Sequence, residues 1–272
     1  MRVALIGGGT IARLFLEHIR RGDLGNDVEV VAIAGRSTAS PGHALAQEHR
    51  VPFTTDVESL IRTKPNVVVE AASHEAVRSY CEPLLAHGIA VIVLSGGALC
   101  DDALRARLER AAEASGALLY VPSGGIAGLD ALKAACLAGV DSVQITVMKP
   151  ARAWKNIAYV DTLGIDLDHL SGPVTLYEGP ARGGVPLFPA NVNIAAVLSM
   201  AGIGFDRTRL KVVADPALAH NTHVIDIAGK TGNINIRVQN VPAPDNPKTA
   251  WLACYSALAA LKLAKAPVRY GT

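Results

Sequence analysis

The chain has little that would direct it to a membrane or a nucleic acid. Its 272 residues contain 26 lysines and arginines against 24 aspartates and glutamates, so the net charge of +2 offers no basic surface for nucleic acid. No apolar run reaches the roughly 18 residues that a membrane span needs. No signal peptide precedes the first apolar segment either, which predicts a cytoplasmic protein without a membrane partner.

Cysteine and aromatic residues are also scarce. The 4 cysteines form no CxxC pair, which predicts free thiols and argues against a metal centre built on them. Aromatic residues make up 4% of the chain and charged residues 18%, but 50% of the residues are hydrophobic. That composition is sufficient for a sizeable core in one large domain or two ordinary ones.

The most informative pattern is a glycine turn near the start of the chain. A short apolar run, residues 3–6, is followed by three glycines, and a segment with helical spacing of apolar residues begins at Thr10. A strand, a glycine turn and a helix in this order are typical of dinucleotide binding, with the phosphates on N–H groups at the helix N-terminus. The alternative is an ordinary strand–helix turn. The predicted cofactor-binding residues of the turn are Gly7, Gly9, Thr10, Ile11 and Ala12.

The end of the second predicted strand, residues 28–34, bears on the choice of cofactor. Folds of this type that bind NAD usually place an acidic residue there, which accepts a hydrogen bond from the ribose 2′-hydroxyl. Here Arg36 occupies that region, followed by Ser37 and Thr38. A guanidinium group suits a 2′-phosphate. The cofactor is therefore predicted to be NAD or NADP, with NADP favoured by Arg36, unless Arg36 simply faces solvent.

Alternating apolar strands and helices continue to about residue 125. This order predicts an α/β fold whose N-terminal Rossmann-type domain is a doubly wound parallel sheet. The pattern then changes, which predicts a second α+β domain with a mixed or antiparallel sheet. The predicted boundaries are 1–125 for the dinucleotide-binding domain, 126–245 for the catalytic and dimerisation domain, and 246–272 for a terminal segment that can pack back on the first.

Element by element, the first domain is predicted to hold helices at 41–50, 56–63, 75–87 (kinked by Pro83) and 101–114, and strands at 66–70, 89–94 and 117–121. The second is predicted to hold helices at 129–137, 193–201 and 248–264, and strands at 140–148, 210–214, 223–228 and 234–240. Residues 150–193 are poorly periodic and are expected to contain short elements.

Two histidines in the second half are candidates for acid–base chemistry. His220 and His223 follow an Asp-Pro turn at residues 215–216 and flank Asn221 and Thr222. Histidine titrates near neutral pH and can move protons when an amine or hydroxyl group is oxidised. The pair could instead ligate a metal, but no third ligand is placed by the sequence. An ordinary, hydrogen-bonded polar residue is the remaining alternative.

With these features in place, the chain resembles the L-aspartate dehydrogenase family almost from end to end. The segments that carry the resemblance are the glycine turn, EAASH at 70–74, LSGGAL at 94–99, PSGGIAGLD at 122–130, MKP at 148–150, FPANVNIAA at 188–196, DPALAHNTHVI at 215–225 and NPKT at 246–249.

The resemblance implies specific roles. His223 matches the family's catalytic histidine, and Ala127 and Asn193 match its cofactor-contacting positions. It also implies oxidative deamination of L-aspartate to iminoaspartate and then to oxaloacetate and ammonia, a link to NAD biosynthesis, and a homodimer.

The two carboxylates of such a substrate require cations or N–H donors. Lys149 is the first candidate for a substrate contact, and His74 and His220 are weaker ones; Lys149 could also be a surface residue at a strand end. Two other functions stay open. One is a related two-domain dehydrogenase or reductase of another small acid, similar to dihydrodipicolinate reductase or homoserine dehydrogenase. The other is a non-catalytic NAD(P)-sensing protein.

Overall fold

A computed structural model describes residues 1–189, 191–244, 246–268 and 270. Ala190 of the FPANVNIAA motif lies outside the described residues. The chain divides into two compact units. The first comprises Met1–Pro122 with Cys254–Pro267, and the second comprises Ser123–Ala253 with the chain end from Val268. Among the described residues, none of the helices combines the length and the hydropathy of a membrane span.

The first unit is built on a six-stranded parallel sheet. The strands are β1 (Arg2–Ile6), β2 (Glu29–Ala34), β3 (Phe53–Thr54), β4 (Val67–Glu70), β5 (Ala90–Val93) and β6 (Leu119–Tyr120). Their order is β3-β2-β1-β4-β5-β6 and every neighbouring pair is parallel. The strand order therefore reverses between β1 and β4, the point at which open α/β sheets bind ligands beyond their strand ends. The predicted Rossmann-type sheet is confirmed.

Helices cover the sheet because its strands are continuous apolar runs that need both faces buried. They are α1 (Thr10–Arg20), α2 (Pro41–His49), α3 (Val57–Arg62), α4 (His74–Ala76), α5 (Glu82–Ala86) and α6 (Asp102–Ser115). Between α4 and α5 the chain forms a π-helical turn, Val77–Cys81, so the helix predicted over 75–87 is interrupted before Pro83. Proline lacks the N–H that a regular helix needs there.

The core of the first unit joins sheet, helix α1 and the end of the chain. Phe15 is 0% exposed and packs in one cluster with Leu5 and Ile33 of the sheet. Leu258 and Leu261 belong to the same cluster and come from α11 (Trp251–Lys265). The side of α11 that carries residues 257–261 is thus buried in the first unit's core.

The second unit is built on a five-stranded sheet. Its strands are β7 (Val140–Lys149), β8 (Val174–Pro180), β9 (Thr208–Ala214), β10 (Asn221–Gly229) and β11 (Gly232–Asn240), in the order β11-β10-β7-β9-β8. The pair β7–β9 is parallel and the other pairs are antiparallel, so the predicted mixed sheet is confirmed. A tight turn at Lys230 and Thr231 joins β10 to β11.

The remaining elements of the second unit are short, apart from two helices. They are α7 (Leu129–Ala138), α8 (Ala158–Asp161), α9 (Ala181–Gly184) and α10 (Asn193–Ala201), with 3-10 turns at Ala151–Trp154 and Val185–Leu187. The poorly periodic residues 150–193 contain β8 and four of these short pieces, as expected from the length limit on structureless loops. The helix α7 contacts β10, and α10 contacts β9.

One boundary prediction was wrong. The last helix was placed at 248–264, but residues 246–250 form strand β13 (Asn246–Ala250), paired with β12 (Pro242–Ala243), and α11 begins at Trp251. Proline at 247 suggested a helix start because its backbone angle suits the first helical turn. It is also tolerated on an edge strand, and that is where the hairpin uses it.

Candidate active site

The glycine turn after β1 has the geometry that a dinucleotide site requires. Gly7 has a positive φ of 106°, and a Cβ there would lie 2.7 Å from the backbone oxygen of Ala71, which follows β4. Gly9 occupies the N-cap position of α1. Apart from its chain neighbours and the start of its own helix, no described heavy atom lies within 4 Å of the position that a Cβ of Gly9 would take. A pyrophosphate could therefore approach the backbone here, at the positive end of the helix dipole.

The middle glycine has a role that the sequence pattern did not reveal. A Cβ on Gly8 would lie 2.2 Å from the backbone nitrogen of Gly42 and 2.6 Å from the carbonyl carbon of Pro41. Both belong to the first turn of α2. Gly8 is therefore required for the close packing of the turn against a neighbouring helix.

Arg36 lies just beyond the end of β2, as predicted. Its side chain and those of Ser37 and Thr38 are exposed. None of the ion pairs found among the described residues involves Arg36, so its guanidinium group is available to a ligand at this edge of the sheet.

The end of β4 is organised by a buried carboxylate. Glu70 is 0% exposed. It accepts hydrogen bonds from the backbone N–H groups of Ala72 (2.8 Å), Ser73 (2.9 Å) and Ser95 (3.0 Å) and from the Ser95 hydroxyl (2.9 Å). Burial raises the pKa of Glu70, and these four donors oppose that rise. One side chain thus ties together the loops that follow β4 and β5. His74 is the first residue of α4 and directly follows Ser73 in the chain. Its side chain is half-buried.

The second unit brings two predicted residues onto one face of its sheet. In the ladder between β7 and β10, His223 lies opposite Val147. Lys149 is two residues further along β7, so strand alternation places it on the same face as Val147 and His223. His223 is 3% exposed and Lys149 is 4% exposed. A surface position for Lys149 is therefore wrong, because its strand end is covered.

The ammonium group of Lys149 is held by oxygens and an aromatic ring. Its Nζ donates to the backbone oxygen and to Oδ1 of Asn191, each at 3.1 Å. It also lies 4.9 Å from the ring centroid of Trp154, close enough for a cation–π interaction. Burial lowers the pKa of Lys149 to about 8. A large fraction of the group is thus cationic at neutral pH.

His223 is kept neutral by the same environment. Burial and the charge of Lys149 lower the pKa of His223 to about 3. The expectation from sequence that this histidine titrates near neutral pH therefore does not hold in this environment. Its Nδ1 is buried and has no hydrogen-bond partner among the described residues. A neutral imidazole can accept a proton, but a pKa of about 3 makes it a weak base, and a nearby anionic group would raise that pKa toward the working range.

The other predicted residues of the second unit lie in three places. His220 is exposed in the turn before β10 and does not share the buried face. Ala127 is exposed in the loop before α7, and Asn193 is the half-buried first residue of α10. Near Ala127, the Nδ2 of buried Asn240 donates to the Gly125 backbone oxygen at 2.9 Å and so fixes that loop.

Sequence reasoning did not single out three residues that the structure places at these sites: Glu70, Asn191 and Asn240. The first two lie within the quoted EAASH and FPANVNIAA segments, which were the available signal. Among the described residues no group of three histidine, cysteine, aspartate or glutamate side chains could hold a metal ion. His220 and His223 accordingly lack a third ligand in that part of the chain.

Comparison with known proteins decides the family. A model of the C-terminal domain of aspartate dehydrogenase matches residues 130–264, and a model of the NAD-binding domain of homoserine dehydrogenase matches residues 7–122. An L-aspartate dehydrogenase of Methanosarcina barkeri is 38% identical over 272 residues, which is 100% of both chains. The chain belongs to the L-aspartate dehydrogenase family.

Two further relatives agree with membership in this family. L-aspartate dehydrogenase 2 of Bordetella pertussis is 42% identical over 265 residues, 96% of each chain. The crystal structure of aspartate dehydrogenase from Thermotoga maritima has a TM-score of 0.76 and 30% identity, covering 100% of this chain and 99% of that one. The predicted family and the predicted class, an NAD(P)-dependent oxidoreductase, are confirmed.

The open space at Gly9 generates a test of the cofactor site. We expect Gly9→Val to abolish NAD(P) binding, because a branched side chain would occupy the space that a pyrophosphate needs, while the fold is retained. Calorimetric titration with both cofactors measures the binding, and thermal unfolding checks the fold. Gly172→Val, at a glycine of the second unit with equally open surroundings, is the control. An unchanged cofactor Kd in Gly9→Val would place the nucleotide elsewhere.

Proposed function

We propose that this chain catalyses the NAD(P)-dependent oxidative deamination of L-aspartate, with His223 as the general base and Lys149 as a cationic contact for a substrate carboxylate. The observation that carries the proposal is the pairing of a neutral, buried imidazole with a buried ammonium group on one strand face. The family relatives support aspartate as the substrate.

The residues of the glycine turn fit a dinucleotide cofactor. Gly9 leaves room at the backbone, Gly7 lets the turn pack closely against Ala71, and Thr10, Ile11 and Ala12 begin the helix whose N-terminus would face the phosphates. Ala127 and Asn193 are proposed as further cofactor contacts, by their match to the family's positions. When bound, the nicotinamide supplies the acceptor for the hydride that leaves the substrate Cα.

The protein's part in the reaction is to bind charge and move protons. The aspartate ammonium group must lose a proton before its carbon can lose a hydride, and the neutral imidazole of His223 can accept that proton. As the Cα hydride leaves, the nitrogen lone pair forms the C=N bond, which gives iminoaspartate protonated on nitrogen. His223 releases its proton to solvent and can then take one from the water that adds to the imine carbon, and loss of ammonia from that adduct gives oxaloacetate.

The lysine explains why an anionic substrate suits this site. A substrate carboxylate near Lys149 stabilises the ammonium form and reduces the effect of that positive charge on His223. The pKa values of both groups then rise, so His223 becomes a stronger base when substrate is bound than in the free protein. His74 and His220 are retained as weaker candidates for substrate contact.

Two implications of the family resemblance stay predictions. One is a homodimer, and the other is a role for iminoaspartate in NAD biosynthesis.

The proposed activity is tested by a kinetic screen. Each L-amino acid is supplied with NAD⁺ or NADP⁺, and formation of the reduced nicotinamide is followed by absorbance. We expect turnover with L-aspartate and little with amino acids that lack a second carboxylate, because they leave the charge of Lys149 uncompensated. Turnover with another small acid in preference to aspartate would assign a different substrate, and cofactor binding without any turnover would identify a sensor.

The role of His223 is tested by replacement with alanine. We expect His223→Ala to lower kcat by roughly 10²–10⁴-fold, the usual contribution of general acid–base catalysis, with little change in cofactor affinity. His220→Ala is the matched control, since His220 is exposed in the adjacent turn and should have a milder effect. Steady-state kinetics and cofactor titration measure the two quantities. A near-normal kcat in His223→Ala would remove this residue from the mechanism.

The preference between cofactors is tested at Arg36. We propose that NADP⁺ is accepted better than NAD⁺, because the exposed guanidinium group can bind a 2′-phosphate and no carboxylate ends β2 to repel it. A lost hydrogen bond to a charged group is worth roughly 1.5–3 kcal/mol, or about ten- to a hundredfold in affinity. Arg36→Ala should weaken NADP⁺ binding by that factor and leave NAD⁺ binding nearly unchanged.

The control for Arg36→Ala is Arg20→Ala, which removes an exposed positive charge at the far end of α1. Equal losses for the two cofactors in Arg36→Ala would show that the arginine contacts a part common to both. Wild-type protein that does not bind NADP⁺ would exclude the preference altogether.

A further inference from the structure

Asn191, in the second unit, contacts the buried ammonium group of Lys149 through two oxygens. Both of its oxygens, the backbone one and Oδ1, accept a hydrogen bond from the Lys149 ammonium group at 3.1 Å. Among the described residues, no other atom accepts a hydrogen bond from that ammonium group. Asn191 also lines a cavity of about 380 Å³, together with Asn156 and Tyr159.

The orientation of the Asn191 amide is fixed. Its Nδ2 donates to the backbone oxygen of Pro189 at 3.2 Å. Since the nitrogen is used there, the amide oxygen must face Lys149, where an acceptor is needed. Both polar atoms of the Asn191 amide therefore have a hydrogen-bond partner of the correct type.

We propose that Asn191 is a positioning residue for the reaction, whose two oxygens hold the Lys149 ammonium group on the strand face that it shares with His223. This inference rests on the proposed function, because that function gives Lys149 a substrate carboxylate to bind. The neutral amide is the essential feature. An acidic residue would hold the ammonium group equally well, but it would cancel the positive charge that an anionic substrate requires.

The charged groups around Lys149 are few in the part of the chain that the structure describes. From β10, His223 shares the face and is coupled to Lys149 electrostatically. From β9, Lys211 lies on the other face and pairs with Glu178 at 3.1 Å. Just after β9, Asp215 donates its backbone N–H to the Lys149 carbonyl oxygen, and its carboxylate accepts from the Ala217 backbone N–H at 2.9 Å. Arg152, in the turn after β7, is exposed, and residues 185–189 contain no titratable side chain. Asn191 is thus the neighbour whose replacement should change the protonation of Lys149 most directly.

The test uses two substitutions that should act in opposite directions. Asn191→Ala removes one acceptor from the ammonium form, so the pKa of Lys149 should fall, by about one pH unit. Asn191→Asp adds a negative charge, so that pKa should rise by at least about as much. The readout is NMR titration of ¹³C-labelled lysine side chains in the full-length protein, with the Lys149 signal assigned from Lys149→Arg.

Kinetics give the functional readout. In Asn191→Ala we expect KM for aspartate to rise roughly tenfold with a smaller change in kcat, because a loosely held ammonium group binds carboxylate less well. In Asn191→Asp we expect kcat/KM to fall by at least that factor, because the new carboxylate competes with the substrate. Asn156→Gly is the control. It removes an amide from the same cavity wall, and glycine tolerates the positive φ of 62° at that position.

Opposite shifts of the Lys149 titration in the two variants, with none in Asn156→Gly, would support the proposal. Shifts in the same direction, or no shift in folded variants, would overturn it. The NMR titration requires no turnover, so it separates this inference from the proposed function. A wild-type protein inactive on aspartate but with the opposite shifts would refute the function and leave the Asn191–Lys149 contact established.

Discussion

A buried ammonium group held by neutral partners is the constraint on which the second unit depends. Transferring Lys149 from water to the sheet face removes its hydration, and an unpaired buried charge is costly. Among the described residues no carboxylate offsets that cost; two oxygens of Asn191 and the face of Trp154 reduce it. Trp154 is itself fixed, because it is 0% exposed and its indole N–H donates to the Val213 backbone oxygen. The cation is therefore stabilised without being neutralised.

Burial, together with the same positive charge, determines the protonation state of the catalytic candidate. His223 would be an ordinary titrating histidine if it were exposed, but burial and Lys149 keep it in the form that accepts protons. A cation for the substrate and a base for its ammonium proton thus arise from a single arrangement. Their spacing follows from strand pairing, since β7 and β10 are neighbours and both side chains lie on the buried face.

In the first unit, a buried acidic residue at the end of a strand fixes the loops around the proposed cofactor site. Glu70 is a buried carboxylate with four neutral donors, three of them backbone N–H groups. The donors belong to the loops after β4 and β5, and Gly7 closely approaches Ala71 in the first of these loops. The carboxylate therefore shapes the edge of the sheet at which the strand order reverses. In each unit, a strand ends on a buried charged residue that organises the loop around the proposed site.

Much of the fold could be predicted from the sequence. Buried parallel strands read as apolar runs and helices as 3.6-residue periods, so the Rossmann-type sheet, its glycine turn and the mixed sheet of the second unit were predictable. Local signals were less reliable where one residue suits two structures, as at Pro247, which begins a helix as readily as it joins an edge strand. The histidines after the Asp-Pro turn, the need for a cation and motifs that resembled a known family identified His223 and Lys149 as candidates. Their burial, the lowered pKa of His223 and the role of Asn191 depend on which strands pair and which loop returns over them. Residues 149 and 191 are 42 positions apart in the chain, and such contacts leave no periodic trace in a sequence. Only the tertiary structure decided them.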